Sequence, residues 1–174
     1  MIVMLKREIT LNVREIDSII DELEAYRESL DGKLQVFVQE LSKIGLDVIN
    51  NDIIGIPPEE KGSDIGTSAS DVTVSDGTAS MYIYLKGKKV LFIEFSAGVT
   101  FGTANYPLES GSEYGALTYP GQTHASNPDG WYYTNENGEP KQHTYGNRAY
   151  MPMYHSTVGM RMLVEEIAQR IFGS

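Results

Sequence analysis

The chain has 174 residues, 24 Asp and Glu against 14 Lys and Arg, a formal charge of −10, and no cysteine. Length suits one domain able to bury roughly 70% of its unfolded surface without staples. The missing cysteines exclude a disulfide framework, thiol catalysis and thiolate zinc sites, and the acidic surface repels phosphate backbones. The opening MIVMLKREITLNVREID is interrupted by Lys6, Arg7 and Glu8, so it lacks the apolar core of a signal peptide. No window approaches the roughly 20 apolar residues of a membrane span. A soluble protein made in the cytoplasm is the expectation, with no membrane partner and no sequence-specific nucleic acid.

Residues 14–51 carry a helical stripe. Ile16, Ile19, Ile20, Leu23, Tyr26 and Leu30 recur at three- and four-residue steps among Asp17, Asp21, Glu22 and Glu24. Beyond Asp31-Gly32 the stripe resumes in phase as Leu34, Phe37, Val38, Leu41, Ile44 and Val48. One long amphipathic helix with a kink or short break near Gly32 is favoured, and two helices in a hairpin are the competing reading. Core packing is the ordinary use of such a stripe; contact with a neighbouring subunit is the sharper one.

From about residue 52 the pattern turns β-like. Pro57-Pro58 stops the helix and opens a polar connection. In DVTVSDGTASMYIYLKG, Val72 and Val74 alternate with polar residues, and Met81, Ile83 and Leu85 oppose Tyr82 and Tyr84. Asp76-Gly77 between the runs predicts a hairpin. KKVLFIEFSAG fits a buried strand or a short helix equally well. Residues 101–155 are rich in Gly, Pro, Asn, Ser and Tyr around Trp131-Tyr132-Tyr133. So many rings predict an ordered excursion, with a short hairpin near Asn137-Gly138. A last helix is expected over about 156–172, capped by Ser156 or Thr157 and stopped by Gly173, with Met160, Leu163, Val164, Ile167 and Ile171 inward. The fold class is therefore α+β, a single domain over 1–174: a long N-terminal helix, a small antiparallel sheet, an aromatic loop at about 100–155 and a C-terminal helix.

Catalytic patterns are missing from the sequence. His124, His143 and His155 do not form a helical metal pair, and there is no nucleophile elbow, Ser-x-x-Lys or phosphate loop. No cofactor, metal or small-molecule substrate is expected. Glu94 stands out between Phe92, Ile93 and Phe95. A buried carboxylate without partners loses several kcal/mol of hydration. A catalytic acid could use that cost, but acceptance of backbone N–H groups is the commoner solution. The turn Ser96-Ala97-Gly98 and the excursion after it are the expected donors, making Glu94, Phe95 and Gly98 a structural anchor. Sugar rings stack on Trp and Tyr, so a carbohydrate-binding or glycan-hydrolysing module is the alternative, with Glu94, Glu109, Glu113 and Asp129 as candidate carboxylates.

The combination FIEFSAGV, then YPGQTHASNPDGWYY, then AYMPMYHS before a terminal helix resembles the tail-completion (head–tail joining, minor capsid) family of long-tailed bacteriophages and prophages. Ile93, Glu94, Phe95, Ser96, Ala97 and Gly98 match its Val/Ile–Glu–Phe/Tyr–Gly–Thr/Ser segment, and Met151, Pro152, Met153 and Tyr154 match its late Pro–Phe/Met element. Ser96 departs from the family's glycine. The resemblance implies a non-enzymatic α+β virion protein at the head–tail junction, assembling as a homo-oligomeric ring and touching tail-tube and head-connector proteins. Trp131, Tyr132, Tyr133, Tyr119, Met151 and Met153 are the candidate contacts, being of types enriched at interface cores. A phage protein acting on a host factor shares the same acidic, aromatic character.

Overall fold

The computed structural model describes residues 13–97, 127–134, 138 and 142–173. The chain is α+β. Helix α1 runs Val13–Gly55 and continues through Gly32 without a break, so the two-helix hairpin is not formed. It stops where Pro57 and Pro58 remove backbone donors. Lys61 from α2 (Pro58–Lys61) donates its Nζ to the Ile53 carbonyl at 2.9 Å, supplying the cation that the last turn of α1 lacks.

Strand β1 (Gly66–Ala69) follows, then β2 (Thr73–Ser75) and β3 (Thr78–Ser80) as an antiparallel hairpin with Thr73 opposite Ser80 and Ser75 opposite Thr78. Its loop is Asp76-Gly77, with φ of 51° and 72°, the doubly left-handed pattern of a two-residue type I′ turn. The apolar alternation after the turn does not continue as one strand. β4 (Ile83–Lys86) is separate and pairs with β1. Residues 90–95 form the short helix α3 (Val90–Phe95), which settles the strand-or-helix ambiguity of that run. Strands β5 (Trp131–Tyr133) and β6 (Gln142–Thr144) pair antiparallel, Trp131 opposite Thr144; of the turn expected near Asn137-Gly138, Asn137 lies outside the described residues. The described strands thus form three two-stranded sheets rather than one.

The last helix, α4, spans Pro152–Phe172. Ser156 and Thr157 lie inside it and are not its caps: Ser156 is buried, and Thr157 Oγ1 donates back to the Met153 carbonyl at 3.0 Å. The start falls at Pro152 because proline has no N–H to orphan at the first helical position.

Two compact units divide the chain. Among the described residues, one holds those up to Ile44, Ala69–Tyr82 and those from Met160 on. There Ile167 is buried, Phe37 meets Phe172 edge-on at 5.6 Å between ring centroids, and Arg170 pairs with Glu40. The other holds Gly45–Ser68 and Ile83–Gly159, with Ile49, Ile56, Ile93 and Ala97 as its buried apolar centre. Among the described residues no helix is long and apolar enough to cross a membrane.

Candidate functional site

The second unit is organised around α3. Its C-terminal residue is followed by Ser96, whose φ of 72° and ψ of 175° lie in a region essentially reserved for glycine. Ser96 thus adopts a backbone conformation that glycine ordinarily supplies. Its N–H closes on the Phe92 carbonyl at 2.9 Å, and the next residue, Ala97, exchanges both backbone hydrogen bonds with Asn147 at 3.0 and 2.9 Å. Asn147 also donates its Nδ2 to the Phe92 carbonyl at 2.8 Å. The Ile93 carbonyl then accepts the N–H of Tyr150 at 2.7 Å and that of Met151 at 3.3 Å. Segment 147–151 is therefore laid along the end of α3 by backbone bonds and by the Asn147 side chain.

Glu94 completes the junction. It is only 4% exposed, and each carboxylate oxygen takes one backbone N–H from the first turn of α4: Oε2 from Met153 at 2.9 Å and Oε1 from Tyr154 at 3.0 Å. The orphan donors at that helix start are all accounted for. Pro152 has none, Met153 and Tyr154 go to Glu94, and His155 bonds the Met151 carbonyl at 2.9 Å. Met151, with φ of 56°, stands at the N-cap position but does not supply the cap's acceptor. A carboxylate from another helix does so, and it also meets the positive end of the α4 dipole. Of the donors expected from the turn and the excursion after it, Met153 and Tyr154, within residues 101–155, serve Glu94. The backbone N–H groups of Ser96 and Ala97 go to Phe92 and Asn147, and Gly98 lies outside the described residues.

Two further side-chain bonds tie this junction to the rest of its unit. Tyr150 Oη donates to Glu60 Oε2 at 2.9 Å, and burial, followed by the Glu60 contact, holds the Tyr150 phenol above its ordinary pKa. His155 Nδ1 lies 2.7 Å from Asp52 Oδ2, near the C-terminal end of α1. None of these partners was singled out in the sequence, since the residues stand 90 and 103 positions apart. Pro152 before an apolar helical run was the one local signal that would have placed the junction.

The aromatic candidates Trp131, Tyr132 and Tyr133 sit on the β5–β6 hairpin. A turn at Asn127–Gly130 launches it: Gly130 N–H bonds the Asn127 carbonyl at 3.2 Å, and Asp129 N–H bonds Asn127 Oδ1 at 3.0 Å. Alternation along β5 sends its rings to two sides. Tyr132, 67% exposed, packs edge-on against His143 at 4.8 Å, and His143 against Tyr145 at 4.7 Å, giving an open aromatic row. His143 Nε2 is fixed by the Asp129 carbonyl at 2.8 Å. Trp131 and Tyr133 instead line a cavity of about 360 Å³ with Phe92, Glu59, Glu60 and Asn147. Met151 and Met153 are half-buried in the Glu94 junction, and Phe95 is half-buried on α3. Tyr119, His124, Glu109 and Glu113 lie outside the described residues. Among the described residues, no group of three or more His, Asp or Glu is placed to hold a metal ion.

Comparison with protein-family models, with curated proteins and with solved structures found no match.

Proposed function

We propose that this chain is a non-enzymatic virion protein of a long-tailed bacteriophage or prophage that completes the tail and joins it to the head, assembling as a ring through protein–protein contacts. The observation that carries the reading is the exposed aromatic row Tyr132, His143, Tyr145 on a hairpin pinned at its base. Tyrosine brings large contact area with few rotors to immobilise, and such rings dominate the binding energy of interface cores. The sequence segments that carry the family resemblance support it too, since Ile93-Glu94 and Met151–Tyr154 form one hydrogen-bonded junction. Its workplace is then the head–tail junction of the virion, after synthesis in the host cytoplasm. The test is light scattering after mixing the purified chain with tail-tube and head-connector subunits of its own phage. A complex is expected, weakened roughly 10- to 100-fold in the double variant Tyr132→Ala, Tyr145→Ala. A strict monomer that ignores both partners contradicts the reading.

The cavity favours one second reading, a carbohydrate-binding module. Rings of Trp131 and Tyr133 beside carboxylates of Glu59 and Glu60 offer the mixed apolar and hydrogen-bonding wall that suits a sugar. It requires saturable binding of cell-wall glycan that is lost in Trp131→Ala; absence of binding by the unaltered chain disposes of it.

A further inference from the structure

An apolar seam runs along α1, and its N-terminal part faces solvent. Ile16, Ile20, Leu23, Leu30, Leu34, Phe37, Leu41 and Ile44 follow one another in alternating steps of four and three residues, with Arg27 in the remaining place. From Leu34 onward the seam is half-buried within its own unit, Phe37 against Phe172. Toward the N-terminus it is open: Leu23 is 59% exposed and Tyr26 58%. The spacing is what identifies the occupant. A straight helix turns through 3.6 residues, so a strict seven-residue repeat drifts about 20° per heptad on it. The seam stays in phase only against another helix wound around it, not against a flat surface.

Charge then selects the partner's identity and direction. Taking Ile20 and Arg27 as a and Ile16, Leu23 and Leu30 as d, the e places hold Asp17, Glu24 and Asp31, and the g places hold Ile19, Tyr26 and Lys33. Antiparallel pairing sets e against e, carboxylate against carboxylate. Parallel pairing sets e against g, and no two acids then face each other across the seam. The one charged a residue, Arg27, faces its own copy in the in-register pair and costs it some stability, leaving the flanking apolar a and d residues to hold the alignment. We infer that residues 16–30 of α1 form a parallel, in-register coiled coil with the same segment of further copies of this chain. The inference goes beyond the virion reading and does not depend on it.

The chain has no cysteine, so single introduced thiols report the geometry cleanly. In the full chain, Ile16→Cys and Leu30→Cys are each expected to cross-link to themselves on mild oxidation, while Ser18→Cys, on the opposite face, does not. Light scattering of the unaltered chain is expected to give at least twice the monomer mass. Leu23→Glu, at an already exposed site, is expected to give a folded monomer by circular dichroism and scattering. Failure of both seam positions to cross-link, as an antiparallel pair or a monomer requires, overturns the inference. So does a monomeric mass for the unaltered chain, even if that monomer binds tail-tube or connector subunits and so leaves the virion reading standing.

Discussion

Replacing Glu94 removes the acceptor of two backbone donors at once. Met153 and Tyr154 direct their N–H groups at separate oxygens, 2.9 and 3.0 Å away, from a side chain that is 4% exposed. Hydrogen bonds to a charged group contribute about 1.5–3 kcal/mol each, and a buried donor left unmade costs about 1–3. An N-cap substitution alone costs about 1 kcal/mol, and the helix dipole adds about 0.3–1. Since both donors belong to half-buried residues that water can partly reach once the carboxylate is gone, the sum is discounted to about 3–5 kcal/mol for Glu94→Ala. Glu94→Gln keeps one acceptor oxygen but turns an amide N–H₂ toward the other donor, so about 1–3 kcal/mol is expected. The chain's one tryptophan, Trp131, lies in the same unit and reports urea unfolding by fluorescence. Hydrogen exchange should show Met153 and Tyr154 losing protection before the later turns of α4. If Glu94→Ala and Glu94→Gln both stay within about 0.5 kcal/mol of the parent, the capping argument is wrong.

Ser96→Gly should be neutral or stabilising, because release of about 1–3 kcal/mol of backbone strain offsets the added unfolded-state entropy and the lost hydroxyl; a loss above about 1.5 kcal/mol in urea would refute it. Gly130→Ala places a Cβ 2.2 Å from the Thr144 carbonyl at a φ of 72°, so the hairpin should open and the Trp131 emission shift red. An unshifted spectrum and unchanged stability would mean the turn is not held as described. Tyr150 keeps its proton more firmly folded than unfolded, so its contribution is complete below the ordinary tyrosine pKa and is lost as pH rises through the folded value. The stability gap between the parent and Tyr150→Phe should therefore narrow above about pH 10, as measured by urea titrations at several pH values; a constant gap contradicts it.

Much of the frame was legible in local pattern. The unbroken phase from Leu30 to Leu34 correctly favoured one helix across Gly32, because a single exposed glycine costs a long helix only about 1 kcal/mol. Asp76-Gly77 specified its turn by the left-handed backbone that it tolerates. The α3 run was not decidable, since six residues with Ile93 and Glu94 both buried show no one-sided period. Its helical state is supported by the bonds that Phe92 and Ile93 accept from Asn147, Tyr150 and Met151, more than fifty residues away. Ser156 and Thr157 misled as caps because good capping residues also sit inside helices, where Thr157 bonds back to Met153. For Glu94, the need for backbone donors followed from its apolar neighbours, but which donors was a matter of tertiary contact. The pairs Tyr150–Glu60 and His155–Asp52 left no trace in sequence at all.

Electron microscopy of particles made by a phage deleted for this chain puts the proposed assembly role to its most direct test. Filled heads and separate tails, rejoined when the purified chain is added, are the expected result. Normal numbers of intact, infectious virions without it would show that it does not join head to tail.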